Sequence, residues 1–180
     1  MDINIILPYK ETYTEKLAGA VSLLIAEVKN RCKFKKNIKI FGSLILKKPL
    51  TKDYISCDLS DKPFYYIFGK TSYYLKNIKK KISKKTIIEI HNRPQAANFF
   101  INNNNNNKII LYFHNDPLTL RGSKYAYQRL YLLKNLDKMI FVSEWTKRQF
   151  FKDLPVLDSE KCSIIYPGSN LIKKVPKKKK

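Results

Sequence analysis

The chain has 180 residues, with 36 Lys and Arg against 14 Asp and Glu for a formal net charge of +22, and 44% of it is hydrophobic. That length suits one domain with its own core, which needs no disulfide or metal staple, and the apolar content excludes a disordered basic tail. No apolar run approaches 18 residues, so no transmembrane helix is expected, and MDINIILPYKE lacks the basic start and small-residue cleavage site of a signal peptide.

The elements predicted in chain order alternate between short buried-type runs and helical periods, the pattern of an open parallel α/β sheet. Ile3 to Leu7 reads as a strand ended by Pro8. After the polar loop YKETYTEK, an apolar face of Leu17, Ala20, Val21, Leu24, Ile25, Val28 and Cys32 predicts a helix closed by basic residues. Ile38 to Phe41 is a second strand, stopped by Gly42. Residues 43–63 carry no clear pattern, and Phe64 to Phe68 is a candidate short strand. Ser72 is a candidate N-cap for a Tyr- and Lys-rich helix to about Ile82. Thr86 to Ile90 is a strand, Pro94 to Ile101 a helix and Lys108 to Phe113 a strand. The six asparagines from Asn102 to Asn107 read as a loop. Ser123 to Leu136 is a helix with Ala126, Leu130 and Leu133 on one face. Lys138 to Val142 is a strand, Glu144 to Lys152 a helix opened by Ser143, and Lys161 to Tyr166 a last strand. Trp145, the only tryptophan, is expected in the core.

The charge calls for care. Of the 36 basic residues 31 are Lys, whereas base readers and phosphate clamps favour the bidentate fork of Arg. Lys, Asn and Ile all have A/T-rich codons and make up over a third of the chain, so base composition explains much of the excess. No stacking signature, helix-turn-helix or zinc-finger spacing accompanies it, so nucleic acid is the less favoured partner. An anionic membrane surface is the alternative, through Lys33 to Lys39, Lys76 to Lys85 and the terminal VPKKKK. Cys32, Cys57 and Cys162 are far apart and odd in number, which suggests reduced thiols in a cytoplasmic setting and no zinc site.

The two histidines occupy matching contexts, IIEIHNRP at 87–94 and ILYFHNDP at 110–117. Each ends a predicted strand, and their 23-residue spacing fits one helical crossover between parallel strands. Both are therefore expected at the carboxyl edge of the sheet, where open α/β folds bind ligands. Alternation along an extended chain makes Asp116 the same-side neighbour of His114, able to hold one tautomer, with an Asx turn before Pro117 as the other reading. Asn115 lies between them. Gly19 opens a helix and either admits a phosphate or packs closely; no GxGxxG is present. Arg121, in the loop after HNDP, either reaches an anion or is a solvated cation. Ser143 and Glu144 start a helix at the same expected edge. There is no GxSxG, HExxH, DxD or CxxC.

These elements together have a familiar order: PYKE with AGAVSLLIAEV at 18–28, IEIHNRP, ILYFHNDP followed by Leu118, Arg121 and Gly122, a leucine-rich helix, MIFVSEWTKRQF, and IIYPGSN at 164–170. The order resembles the N-terminal domain of family 4 glycosyltransferases of the GT-B fold type, common in lipopolysaccharide and other cell-envelope glycan synthesis. The resemblance implies a Rossmann-like, doubly wound, mostly parallel sheet over residues 1–170, with 171–180 a basic tail at the interdomain linker. It implies transfer of a sugar from a nucleotide-sugar donor to a glycan or lipid-linked acceptor, with retention and without metal or other cofactor. By the same resemblance His114 stands by the reacting sugar, Gly19 approaches the donor diphosphate, and His91, Asn92 and Ser143 line the cleft. Asn115, Asp116, Arg121 and Glu144 fall beside those positions as candidate substrate contacts. Ala18 stands where the family often has a first glycine.

A complete enzyme of that type has about twice this length and an E-x7-E segment in a second domain, neither of which is in these 180 residues. The expectation is therefore a cytoplasmic acceptor-binding half with little activity alone, from a truncated gene, a sequencing fragment or a split protein, with peripheral attachment to the inner face of the cytoplasmic membrane as an option. The alternative is a non-catalytic basic module that binds anionic membrane or nucleic acid.

Overall fold

The computed structural model describes residues 1–57, 69–103 and 106–168. Seven strands form one sheet: β1 (Ile3–Ile6), β2 (Ile38–Gly42), β3 (Tyr54–Ser56), β4 (Ile87–His91), β5 (Lys108–Phe113), β6 (Lys138–Phe141) and β7 (Cys162–Ile164). Their order is β3-β2-β1-β4-β5-β6-β7 and every pairing is parallel. The helices are α1 (Ala20–Arg31), α2 (Lys70–Lys81), α3 (Pro94–Asn102), α4 (Ala126–Asn135) and α5 (Glu144–Phe151). This is the open parallel α/β sheet that the alternating pattern predicts, in the Rossmann-like, doubly wound form that the resemblance implies. Strand order reverses between β1 and β4, so the switch point lies at their carboxyl ends.

Strand alternation divides the side chains between two cores. Ile6, Ile88, Ile90, Ile109, Leu111 and Phe113 join the larger one, under α2 to α5. Ile5, Leu7, Ile38 and Ile40 join the smaller one with Ile25 and Ala26 of α1. Tyr74 fastens α2 across the first two strands, its hydroxyl 3.0 Å from the Leu7 carbonyl and 3.1 Å from that of Phe41.

Several local expectations need correction. The buried stripe of α1 is Ser22, Ile25, Ala26 and Lys29, while Leu17 and Val28 are exposed. The helix is turned because two polar residues have partners inward. Ser22 donates to Glu11, and Lys29 pairs with Asp53 at 2.6 Å and with the Lys35 carbonyl. Gly69, rather than Ser72, precedes α2. The helix expected from Ser123 starts at Ala126, because the Ser123 hydroxyl turns back to the Pro117 carbonyl. On α4 the buried positions are Arg129 and Leu132, and Leu130 is exposed. Trp145 is half exposed rather than core. Edge strand β3 was hidden in the unpatterned 43–63 stretch, with only three half-buried residues to signal it. The candidate strand at 64–68 and the tail at 171–180 fall outside the described residues.

Candidate functional site at the carboxyl edge

The paired histidines meet. β4 and β5 are in parallel register with His91 opposite Tyr112. Residues alternate, so Glu89 and His91 of β4 and Tyr112 and His114 from β5 and its end share the face away from the larger core. His91 Nδ1 lies 2.8 Å from His114 Nε2, and His91 Nε2 lies 2.8 Å from Glu89 Oε1. The Tyr112 ring lies parallel to His91, with centroids 4.6 Å apart.

Asn92 aligns the two strand ends. Its φ of +52° is a left-handed conformation that asparagine tolerates better than most residues. That bend folds its side chain back, and Oδ1 accepts from the backbone N–H of both His114 (2.8 Å) and Asn115 (3.1 Å). The Asn92 N–H donates in turn to the Tyr112 carbonyl. Two backbone donors on Oδ1 fix the amide orientation, so Nδ2 is the remaining donor; it makes no hydrogen bond to a described residue.

The proton pattern follows from the carboxylate, which can only accept. His91 then carries its proton on Nε2, its Nδ1 accepts from His114 Nε2–H, and His114 Nδ1 is left bare. Burial first, and then positive charge on His91, hold the His114 pKa down to about 4. His114 Nδ1 makes no hydrogen bond within the described residues, so neutral His114 presents an acceptor there.

Other sequence-predicted residues behave differently. Asp116 makes the Asx turn, Oδ1 accepting from Leu118 N at 2.9 Å, and it is not the carboxylate of the histidine system. The strand ends at Phe113, so alternation does not extend to residue 116. Asn115 is tied by its backbone to Asn92 and is otherwise exposed. Gly19 does precede α1, but a Cβ there would stand 3.0 Å from Glu11 Oε1. The place beside the helix start is thus taken by the chain's own carboxylate, which the helix dipole favours. Ser143 caps α5, its Oγ accepting from Thr146 N at 3.1 Å, and Glu144 is exposed in the first turn. Neither is joined to the histidines by a hydrogen bond.

A cavity of about 320 Å³ opens at the switch point, walled in part by Asn92, Arg93 and Arg121. The histidines do not line it; Asn92 is the residue it shares with them. Two residues important here went unread in the sequence. Glu89 carried a usable signal, an acidic residue two places before His91 in a strand and so on the same face. Arg93 stood inside the HNRP motif without a role. No family model matches the chain, and no curated protein matches it in sequence.

Proposed function

We propose that the domain is the acceptor-binding half of a retaining, family 4-like glycosyltransferase of cell-envelope type, with His114 as the group that contacts a sugar hydroxyl. The reading is carried by the Glu89–His91–His114 chain, which leaves one neutral imidazole nitrogen unpartnered at the ligand-binding edge of the sheet. A neutral acceptor suits a hydroxyl and is indifferent to a phosphate, so His114 is matched to the sugar or its acceptor rather than to the diphosphate. Glu89 and His91 act through His114 as positioning residues. In this reading the nucleotide sugar is held mainly by a second Rossmann-like domain, and transfer requires both. No metal or other cofactor is assigned to the step.

The test is a transfer assay with UDP- and GDP-sugars on the chain joined to a donor-binding domain. His114→Ala is expected to lower turnover by at least about 100-fold, the scale of a positioned acid–base group. Glu89→Gln should lower kcat and move its pH profile with KM little changed. An unchanged rate in His114→Ala sinks the reading. The 180-residue chain alone is expected to transfer little, and robust turnover would overturn the two-domain requirement.

A second reading has its own observation: Lys76, Lys79, Lys80 and Lys84 line one groove beside Phe99 and Ile82. This favours peripheral attachment to an anionic membrane on the α2 side, compatible with a lipid-linked acceptor and with a non-catalytic module alike. Sedimentation with anionic vesicles should weaken as salt rises. Lys-to-Glu changes at 76–84 should abolish it, and salt-independent binding would exclude it. No helix among the described residues is long and apolar enough to cross a membrane.

A further inference from the structure

We infer that the switch-point cavity is a separate binding site for a phosphate monoester with an apolar body, held by Arg93, Arg121 and the Asn92 amide. The cavity's volume of about 320 Å³ is at the small end of ligand sites, enough for one ring or a short stem with its phosphate. Its floor is apolar, with Ile6, Leu75, Ile90 and Leu120. Among the described residues Arg93 and Arg121 are the charged groups of its wall, both exposed, and no described carboxylate lines it.

The polar groups are donors in excess. Arg93 uses one nitrogen on the Asn92 carbonyl at 2.9 Å and has the rest of its fork left over. Arg121 makes no hydrogen bond or ion pair to a described residue. Asn92 is only 7% exposed as a residue, but its unpartnered Nδ2 is not one of the enclosed polar atoms of the described residues, so it reaches the surface, where a ligand or water can meet it. Two guanidinium forks and an amide offer more donors than the two oxygens of a carboxylate can use, whereas the three terminal oxygens of a phosphate monoester match them. The rim is also built to stay in place. Gly122 has a φ of +97°, and a Cβ there would stand 2.7 Å from the Gln95 backbone nitrogen, so the loop carrying Arg121 is pressed against the start of α3.

This site does not depend on the transferase reading, because its residues are not those of the histidine chain apart from the shared Asn92. The ester's source, a free metabolite or a lipid headgroup, is separated by the experiment.

Amide chemical shifts of the 180-residue chain are followed with phenyl phosphate, inorganic phosphate and phenol as probes, with no nucleotide sugar present. Phenyl phosphate should move the amides of Asn92, Arg93, Gln95 and Thr119 to Gly122 saturably. It should bind at least about 10-fold more tightly than inorganic phosphate or phenol. Arg121→Gln, which removes no internal bond, should weaken it at least about 10-fold, the scale of a hydrogen bond to a charged group, and Arg93→Gln likewise. Lys80→Gln should change nothing. Competition by vesicles containing phosphatidic acid, but not by phosphatidylcholine alone, would identify a lipid headgroup; failure to compete would identify a soluble ester, and either result upholds the site. Equal binding of phenol and phenyl phosphate, wild-type affinity in Arg121→Gln, or shifts confined to the Lys76 to Lys84 groove would each overturn it. Loss of transfer in the fused enzyme with phenyl phosphate binding intact would fault the transferase reading alone.

Discussion

Two arginines eight positions apart show how differently the fold uses the same side chain. Arg129, 2% exposed on α4, spends its fork on backbone: Nε on the Phe150 carbonyl at 2.7 Å, Nη1 on Ser123 and Lys124, and Nη2 on Lys152 at 2.5 Å. It ties the start of α4 to the end of α5. Arg121, at the carboxyl edge, is exposed and has no such partner among the described residues. The same division runs through the other polar groups. Glu11 with Ser22, and Ser143 with Thr146, are satisfied inside the chain. His114 Nδ1 and Asn92 Nδ2 are not. A polar residue at a ligand-binding edge becomes a functional candidate only when its valences have not been used by the fold.

The largest expected effect tests the satisfied side. Arg129→Met should cost about 3 kcal/mol or more in urea unfolding, because several carbonyls lose a charged donor while buried. A loss below about 1 kcal/mol would place Arg129 with the open groups. Asn92 belongs to both sides and should come next. Asn92→Ala leaves two backbone N–H groups unmatched and puts alanine at φ +52°, for about 2–3 kcal/mol. Asn92→Gly relieves the backbone but not the lost acceptor, and should recover about 1 kcal/mol of that. Equal losses for the two would show that the left-handed bend carries no strain.

The open side is tested by pH. Folded His114 stays neutral down to about pH 4, whereas in the unfolded chain it takes a proton near its ordinary 6.5. Between those values the unfolded chain binds more protons, so stability held above pH 6.5 falls as pH drops toward 4. Thermal midpoints from pH 7 to 5 should therefore fall less steeply in His114→Gln than in wild type. Parallel curves would mean that His114 is not held neutral. Gly19→Ala should have the smallest effect, under about 1 kcal/mol, since only the far end of Glu11 must move. A larger loss would mean that this helix start is built more tightly than the Glu11 contact implies.

Legibility followed the same line. The histidine pair was readable because two identical local contexts, each strand-His-Asn, lay one crossover apart. The Ser143 cap was readable because a cap is completed within four residues. The buried face of α1 was not, because Lys29 is drawn inward by Asp53, 24 positions away in sequence. Nor was Arg129, whose acceptors on α5 and just beyond it lie 21 and 23 residues on.

From the sequence alone came the parallel α/β layering, the placing of both histidines at strand ends, and a family resemblance. Periodicity and strand length are local properties, and hydrophobic burial enforces them wherever the chain goes. Only the tertiary structure decided that Glu89, rather than Asp116, completes the histidine chain. It alone filled the Gly19 helix start with Glu11, and it alone brought Arg93 and Arg121 to one cavity. Those outcomes depend on which donors and acceptors from distant segments meet within about 3 Å, a distance that hydrogen bonds enforce and sequence spacing does not encode.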